Sequence, residues 1–146
     1  MRNRMRFHAT SAVMAAALCA AMAPATASEG AAEYREHVME AKGGHMQAMV
    51  DILKQKVDHT DHLALHADAM ADLSDICYTL FPAGSEGGDA LPAIWEQPDD
   101  FKEKLDAFST AAHGLKQTIA SGGDIGPAFQ QLGQACKGCH DNYRAE

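Results

Sequence analysis

Cys136, Cys139 and His140 fall within five residues, in the stretch CKGCHDNYR near the end of a 146-residue chain. Two thiols separated by two residues and followed directly by an imidazole suit three chemistries: a redox disulfide, part of a zinc site, or the attachment of a c-type haem. A thioredoxin-like pair sits beside a strand at the start of a helix, where the helix N-terminus lowers a thiol pKa. Here the pair lies late in a helical pattern. Zinc needs a fourth ligand, and no second cysteine pair or zinc-finger histidine spacing is present. Cys77 would have to serve by its packing alone. In the haem reading the two thiols form thioethers with the vinyl groups, and the adjacent imidazole binds iron from the same helix. The spacing favours haem.

The elements that must position this motif are helical. Apolar residues recur at steps of three and four, with no two-residue alternation long enough for a strand. A first segment, 31–54, places Met39, Met46, Met49 and Leu53 on one stripe, and Gly43 and Gly44 should weaken or bend it. A second, 61–80, carries Leu63, Ala67, Met70 and Cys77 in register, with Leu65, Leu73, Ile76 and Leu80 widening the face. A third, 99–120, repeats Phe101, Leu105, Phe108, Ala112, Leu115 and Ile119 behind the N-terminal charges of Asp99 and Asp100. The fourth opens at Pro127 and runs to about Arg144, with Phe129, Leu132, Cys136, Cys139 and Tyr143 aligned. The Gly- and Pro-rich stretch 82–98 is the one long loop, and Trp95 should anchor it to the helices. The fold class expected is all-α, an up-down-up-down four-helix bundle enclosing one covalently bound haem.

The opening residues read as an export signal. Arg2, Arg4 and Arg6 precede a short Ala-rich run and then ATAS, so residues 1–27 are expected to be a cleaved signal peptide and 28–146 the cytochrome-type domain. The apolar run is too short to span a bilayer. Leu18 before Cys19 argues against a lipoprotein. Without residues 1–27 the chain keeps 9 basic and all 20 acidic residues, a net charge of −11. That surface argues against nucleic acid and anionic membrane and suits a basic or dipolar protein partner. An exported chain meets an oxidising compartment, where three cysteines leave Cys77 unpaired if Cys136 and Cys139 act together. Cys77 then reads as a small buried apolar residue. His59, His62 and His66, with Asp58 and Asp61, read as a solvated face, although they include an i, i+4 pair able to bind a surface metal.

The order of the segments YREHVMEAKGGHM, LFPAG, ALPAIW, DDF and CKGCHDNYR resembles the cytochrome c′ family, most closely its low-spin c-556- and c-554-type monohaem members. The resemblance covers residues 28–146 and implies that His140 is the proximal iron ligand. It also implies that Arg35 reaches toward a haem propionate and that Arg144 lies near the proximal face. A guanidinium suits both carboxylate pairing and a place one turn beyond His140.

The sixth iron ligand is sought by height along the bundle. Met39, roughly 12 Å into the first helix, and His140, roughly 6 Å from the end of the last, come to similar levels if those helices run antiparallel. His113 lies about 21 Å from that end, and His62 and His66 are at the far end of the second helix. His37 and His45 turn roughly 160° and 120° away from the Met39 stripe. Met39 and, less well, Cys77 remain; Met39 either ligates iron or lines an apolar pocket above a five-coordinate one. The leading expectation is a periplasmic electron carrier that turns over no substrate, serving redox partner proteins. The alternative is a five-coordinate iron that captures nitric oxide or carbon monoxide. An exported disulfide oxidoreductase is the weakest reading. Helix faces leave monomer and homodimer both open.

Overall fold

The structure, a computed structural model, describes residues 25–146, with side chains from residue 30 onward. Arg2, Arg4, Arg6, Leu18 and Cys19, on which the signal reading rests, lie outside the described residues. The elements are α1 (Ala25–Leu53), α2 (Leu63–Asp75), α3 (Ala93–Glu96), α4 (Pro98–Ala120) and α5 (Ile125–Tyr143). Short 3-10 turns at Thr60–His62 and Ile76–Thr79 extend α2 at both ends. Among the described residues there is no strand, only two isolated bridges, and the all-α expectation holds. Nor is any described helix long and apolar enough to cross a membrane.

The helices form where the sequence supplies their ends. Pro98 occupies the first turn of α4, where its missing N–H costs nothing, and Asp99 and Asp100 follow it against the helix dipole. Asp124 caps α5 by accepting a bond from the Gly126 N–H at 3.1 Å. That cap starts α5 at Ile125, two residues ahead of the expected Pro127, which still falls among the N–H groups without intrahelical partners. The α4 register is as expected: Phe101, Leu105, Phe108, Ala112 and Leu115 are buried, and Ile119 packs at the edge.

Three local expectations are modified. α1 runs unbroken through Gly43 and Gly44. Both glycines are exposed, and packing of the buried α1 residues Val38, Lys42, Met49 and Ile52 outweighs their helix penalty, roughly 1 kcal/mol each. The methionine stripe holds in part: Met49 is fully buried and Met39 and Met46 pack half-buried on the core, while Leu53 is exposed and Arg35, Val38, Lys42 and Ile52 widen the buried face. Leu65 is 62% exposed rather than part of the α2 face.

α2 packs against α1 and α4, and α4 packs against α5. Between α1 and α5 there is no comparable packing among the described residues, and a cavity of about 630 Å³ is lined from both. The connection from Phe81 to Gln97 closes one end. Trp95 donates its indole N–H to the Pro82 carbonyl at 3.2 Å and sets its ring edge-on to Phe81, as the anchoring role requires. The same loop straps the end of α5. Leu91 N–H donates to the Tyr143 carbonyl at 3.0 Å, and Ala145 N–H to the Asp89 carbonyl at 2.8 Å.

Candidate haem site

Cys136 and Cys139 both line the cavity from α5, half-buried and unpaired, although they stand only three positions apart. Burial pushes both thiols up, Cys139 to about 11, with Lys42 opposing the shift in each. Such thiols are protonated at neutral pH, the reverse of the low-pKa nucleophile a disulfide oxidoreductase needs. His140 lines the same cavity, one helical turn after Cys136, and remains open to solvent. Partial desolvation of its ring against the cavity wall lowers its pKa, and Arg144 and Lys42 lower it further against the opposing pull of Asp141, so at neutral pH its imidazole is neutral and has a lone pair to donate. Arg144 approaches with Nη1 3.5 Å from His140 Nδ1, at the limit of a hydrogen bond.

The opposite wall comes from α1. Met39 is half-buried in it, together with Met46, and α2 and α4 add Met70, Leu105 and Phe108. Three thioethers therefore border the cavity where the sequence singled out one. The signal was available for Met46, seven residues after Met39 on the same stripe, but not for Met70 on another helix.

Arg35 also borders the cavity, and its guanidinium is committed to the loop. It is 3% exposed and donates to the Leu80 carbonyl at 3.3 Å, Ser85 Oγ at 3.2 Å and the Gly87 carbonyl at 2.9 Å. It lies over the rings of Phe81 and Trp95, 5.2 and 5.8 Å from their centroids.

Sequence reasoning missed Lys42. It is 8% exposed, donates from Nζ to Cys77 Sγ at 2.8 Å and sits 5.0 Å from the centre of the Phe108 ring. Cys77 in turn donates to the Leu73 carbonyl at 3.2 Å. Cys77 is buried, as its apolar stripe implied, but it is also a cavity-wall acceptor for a lysine. Buried lysines are rare without a partner, and a hydropathy pattern scores this one as solvent-facing.

These residues fit a haem. The volume lies inside the range of about 300–1,000 Å³ usual for cofactor sites, the walls are mostly apolar, and two thiols and an imidazole share one side. Lys104 and Arg144 put cations on the open side of the cavity, against which propionate carboxylates can pair, whereas the buried Arg35 and Lys42 are engaged with the loop and with Cys77. A helical bundle with a C-x-x-C-H helix lining an apolar cavity is a c-type cytochrome of the bundle class.

Comparison with known proteins takes this further. Residues 30–144 match the family model for Cytochrome C′. Cytochrome c′ of Pararhodospirillum photometricum is 33% identical over 80% of this chain and 97% of its own. Cytochrome c-556 of Agrobacterium fabrum is 35% identical over 92% of both chains. A solved structure, the nitric oxide complex of a mutant of cytochrome c prime from Alcaligenes xylosoxidans, superposes with a TM-score of 0.76. It is 30% identical and covers 82% of this chain and 97% of its own. The chain belongs to the cytochrome c′ family, and its cofactor is one covalent haem c. Cys136 and Cys139 are the thiols placed to hold it.

Proposed function

We propose that this chain binds a small diatomic gas, nitric oxide or carbon monoxide, at a haem held by Cys136, Cys139 and His140, and that it turns over no substrate. The observation that carries the reading is the wall facing α5, where Met39, Met46, Met70, Leu105 and Phe108 make an apolar chamber suited to a small uncharged ligand. The nitric oxide complex solved for its Alcaligenes xylosoxidans relative supports it. Haem supplies an iron that changes oxidation state and accepts axial ligands. The chain's residues would do the rest: Cys136 and Cys139 would tether the haem, His140 would offer its imidazole to the iron, and the apolar α1 wall would exclude water and polar competitors.

A second reading has its own observation, the Met39 thioether on the cavity wall. If Met39 ligates iron, the chain is a low-spin electron carrier of the c-556 type, and its acidic surface would face basic or dipolar redox partners. The two readings part on one substitution. In the gas-binding reading Met39→Leu leaves a high-spin spectrum and carbon monoxide binding essentially unchanged. Conversion from low to high spin, with carbon monoxide binding appearing only in the variant, would establish the carrier instead.

For either role the proposed location is the periplasm, on the export signal read in residues 1–27, which would be removed. N-terminal sequencing of the protein from periplasmic extracts is expected to begin at Ser28, or at Thr26 as the fallback cleavage. Retention of Met1 would contradict export.

A further inference from the structure

At the other side of α1 from its exposed glutamates, two imidazoles meet across helices. His45 on α1 and His66 on α2 lie Nδ1 to Nδ1 at 2.9 Å, with ring centroids 5.2 Å apart, and both are half-buried. Sequence periodicity turned His45 outward. The packing of α1 on α2 instead brings it to a residue 21 positions away.

Two nitrogens bound to one ion at about 2.0–2.1 Å stand about 2.9 Å apart when they subtend a right angle, and about 3.4 Å apart at the tetrahedral angle. The observed separation therefore suits adjacent ligands of one ion, with little movement needed for a tetrahedral one. A third imidazole, His62, precedes His66 by one turn and lines with it a small recess that also contains Asp51 and His59, but its donor atoms group with the exposed turn rather than with the pair. His59, Asp61 and His62 in addition bring their donor atoms within 4.8 Å of one another.

We propose that His45 and His66 form a binding site for one divalent transition-metal ion, clipping α1 to α2, with water completing its coordination. Imidazole donors favour copper(II), zinc(II) or nickel(II) over magnesium or calcium, which take oxygen ligands. The site is separate from the α5 thiols and imidazole, so it does not depend on which gas or partner the haem serves. It differs from a surface i, i+4 pair because the closest donors come from two helices.

The test uses the ferric holoprotein, metal-stripped with chelator, titrated with zinc(II) and separately with copper(II) in a calorimeter. One equivalent of each is expected, copper(II) tighter, following the usual order of divalent affinities. The double substitution His45→Ala/His66→Ala is expected to lower affinity at least about 100-fold, since it removes two ligands where loss of a supporting group alone costs about 10–100-fold. His59→Ala should leave affinity within about threefold, because His59 is not one of the two assigned ligands. An unchanged haem spectrum and helix content confirm that each variant is folded. Zinc(II) should also raise the melting temperature of the unmodified protein and not that of the milder variant His45→Gln, since binding to the native state alone stabilises it. Absence of stoichiometric binding overturns the proposal. So does full affinity in the double variant, or loss of affinity in His59→Ala alone, which would place the ion on the exposed turn.

Discussion

Replacing both thiols, Cys136→Ser with Cys139→Ser, is expected to abolish covalent haem. Intact mass from cells able to mature c-type cytochromes should fall by one haem, and acid-acetone should extract whatever haem remains. The reason is geometric: on α5 the two thiols stand three residues apart and border the same cavity, so both could tether a single haem there. Serine is close in size but forms no thioether. The loss reaches beyond the cofactor. Without haem the bundle must keep an apolar space of about 630 Å³ between α1 and α5, where it has almost no direct helix packing. Unfilled volume forfeits dispersion contacts and destabilises the lining, so the double variant should also melt well below the holoprotein. Retention of one acid-stable haem would refute attachment through this motif.

The second large effect belongs to Arg35. Arg35→Ala is expected to cost about 2–4 kcal/mol, because it strips donors from the buried Leu80 carbonyl and weakens the ties to Ser85 and Gly87. For a domain of this size that is a fall in melting temperature on the order of 10 °C. Ser85 retains its own bond to the Pro82 carbonyl at 2.7 Å, and Gly87 retains the Ala90 N–H, so the loop should loosen rather than unfold. The consequence for the site is indirect but specific. That loop holds the last residues of α5 through Leu91 and Asp89, just after His140, so the His140 ring should become more mobile. Arg35→Lys should recover only part of the stability, since one ammonium cannot reproduce a planar fork spread over three acceptors. A melting temperature unchanged in Arg35→Ala would show that the clasp contributes nothing.

How much of this was legible in the sequence depended on whether a residue's environment is set by its own helix. The α5 motif was readable because both thiols, His140 and Tyr143 follow the local 3.6-residue period. The α4 face was readable for the same reason, and Trp95 stood out as a single large ring inside a Gly- and Pro-rich stretch. The α1 face was readable only in part. Its buried side includes Arg35 and Lys42, and no apolar pattern points to charged residues whose partners, the 80–87 backbone and Cys77, lie 35 to 52 residues away. The same holds for His45, whose angle on α1 follows from its own helix but whose neighbour His66 is supplied by α2. Met70 entered the cavity wall by that route too. Periodicity finds a face; it does not find what the face meets.

The central claim is that α5 presents a covalently held haem to an apolar chamber in which no side chain occupies the remaining iron position. The most direct test is the absorption spectrum of the purified, unmodified protein, oxidised and reduced, before and after carbon monoxide. High-spin bands in both oxidation states, and a reduced spectrum that shifts fully on adding carbon monoxide, are the predicted result. Low-spin bands that carbon monoxide leaves unchanged would contradict it and assign the sixth position to Met39.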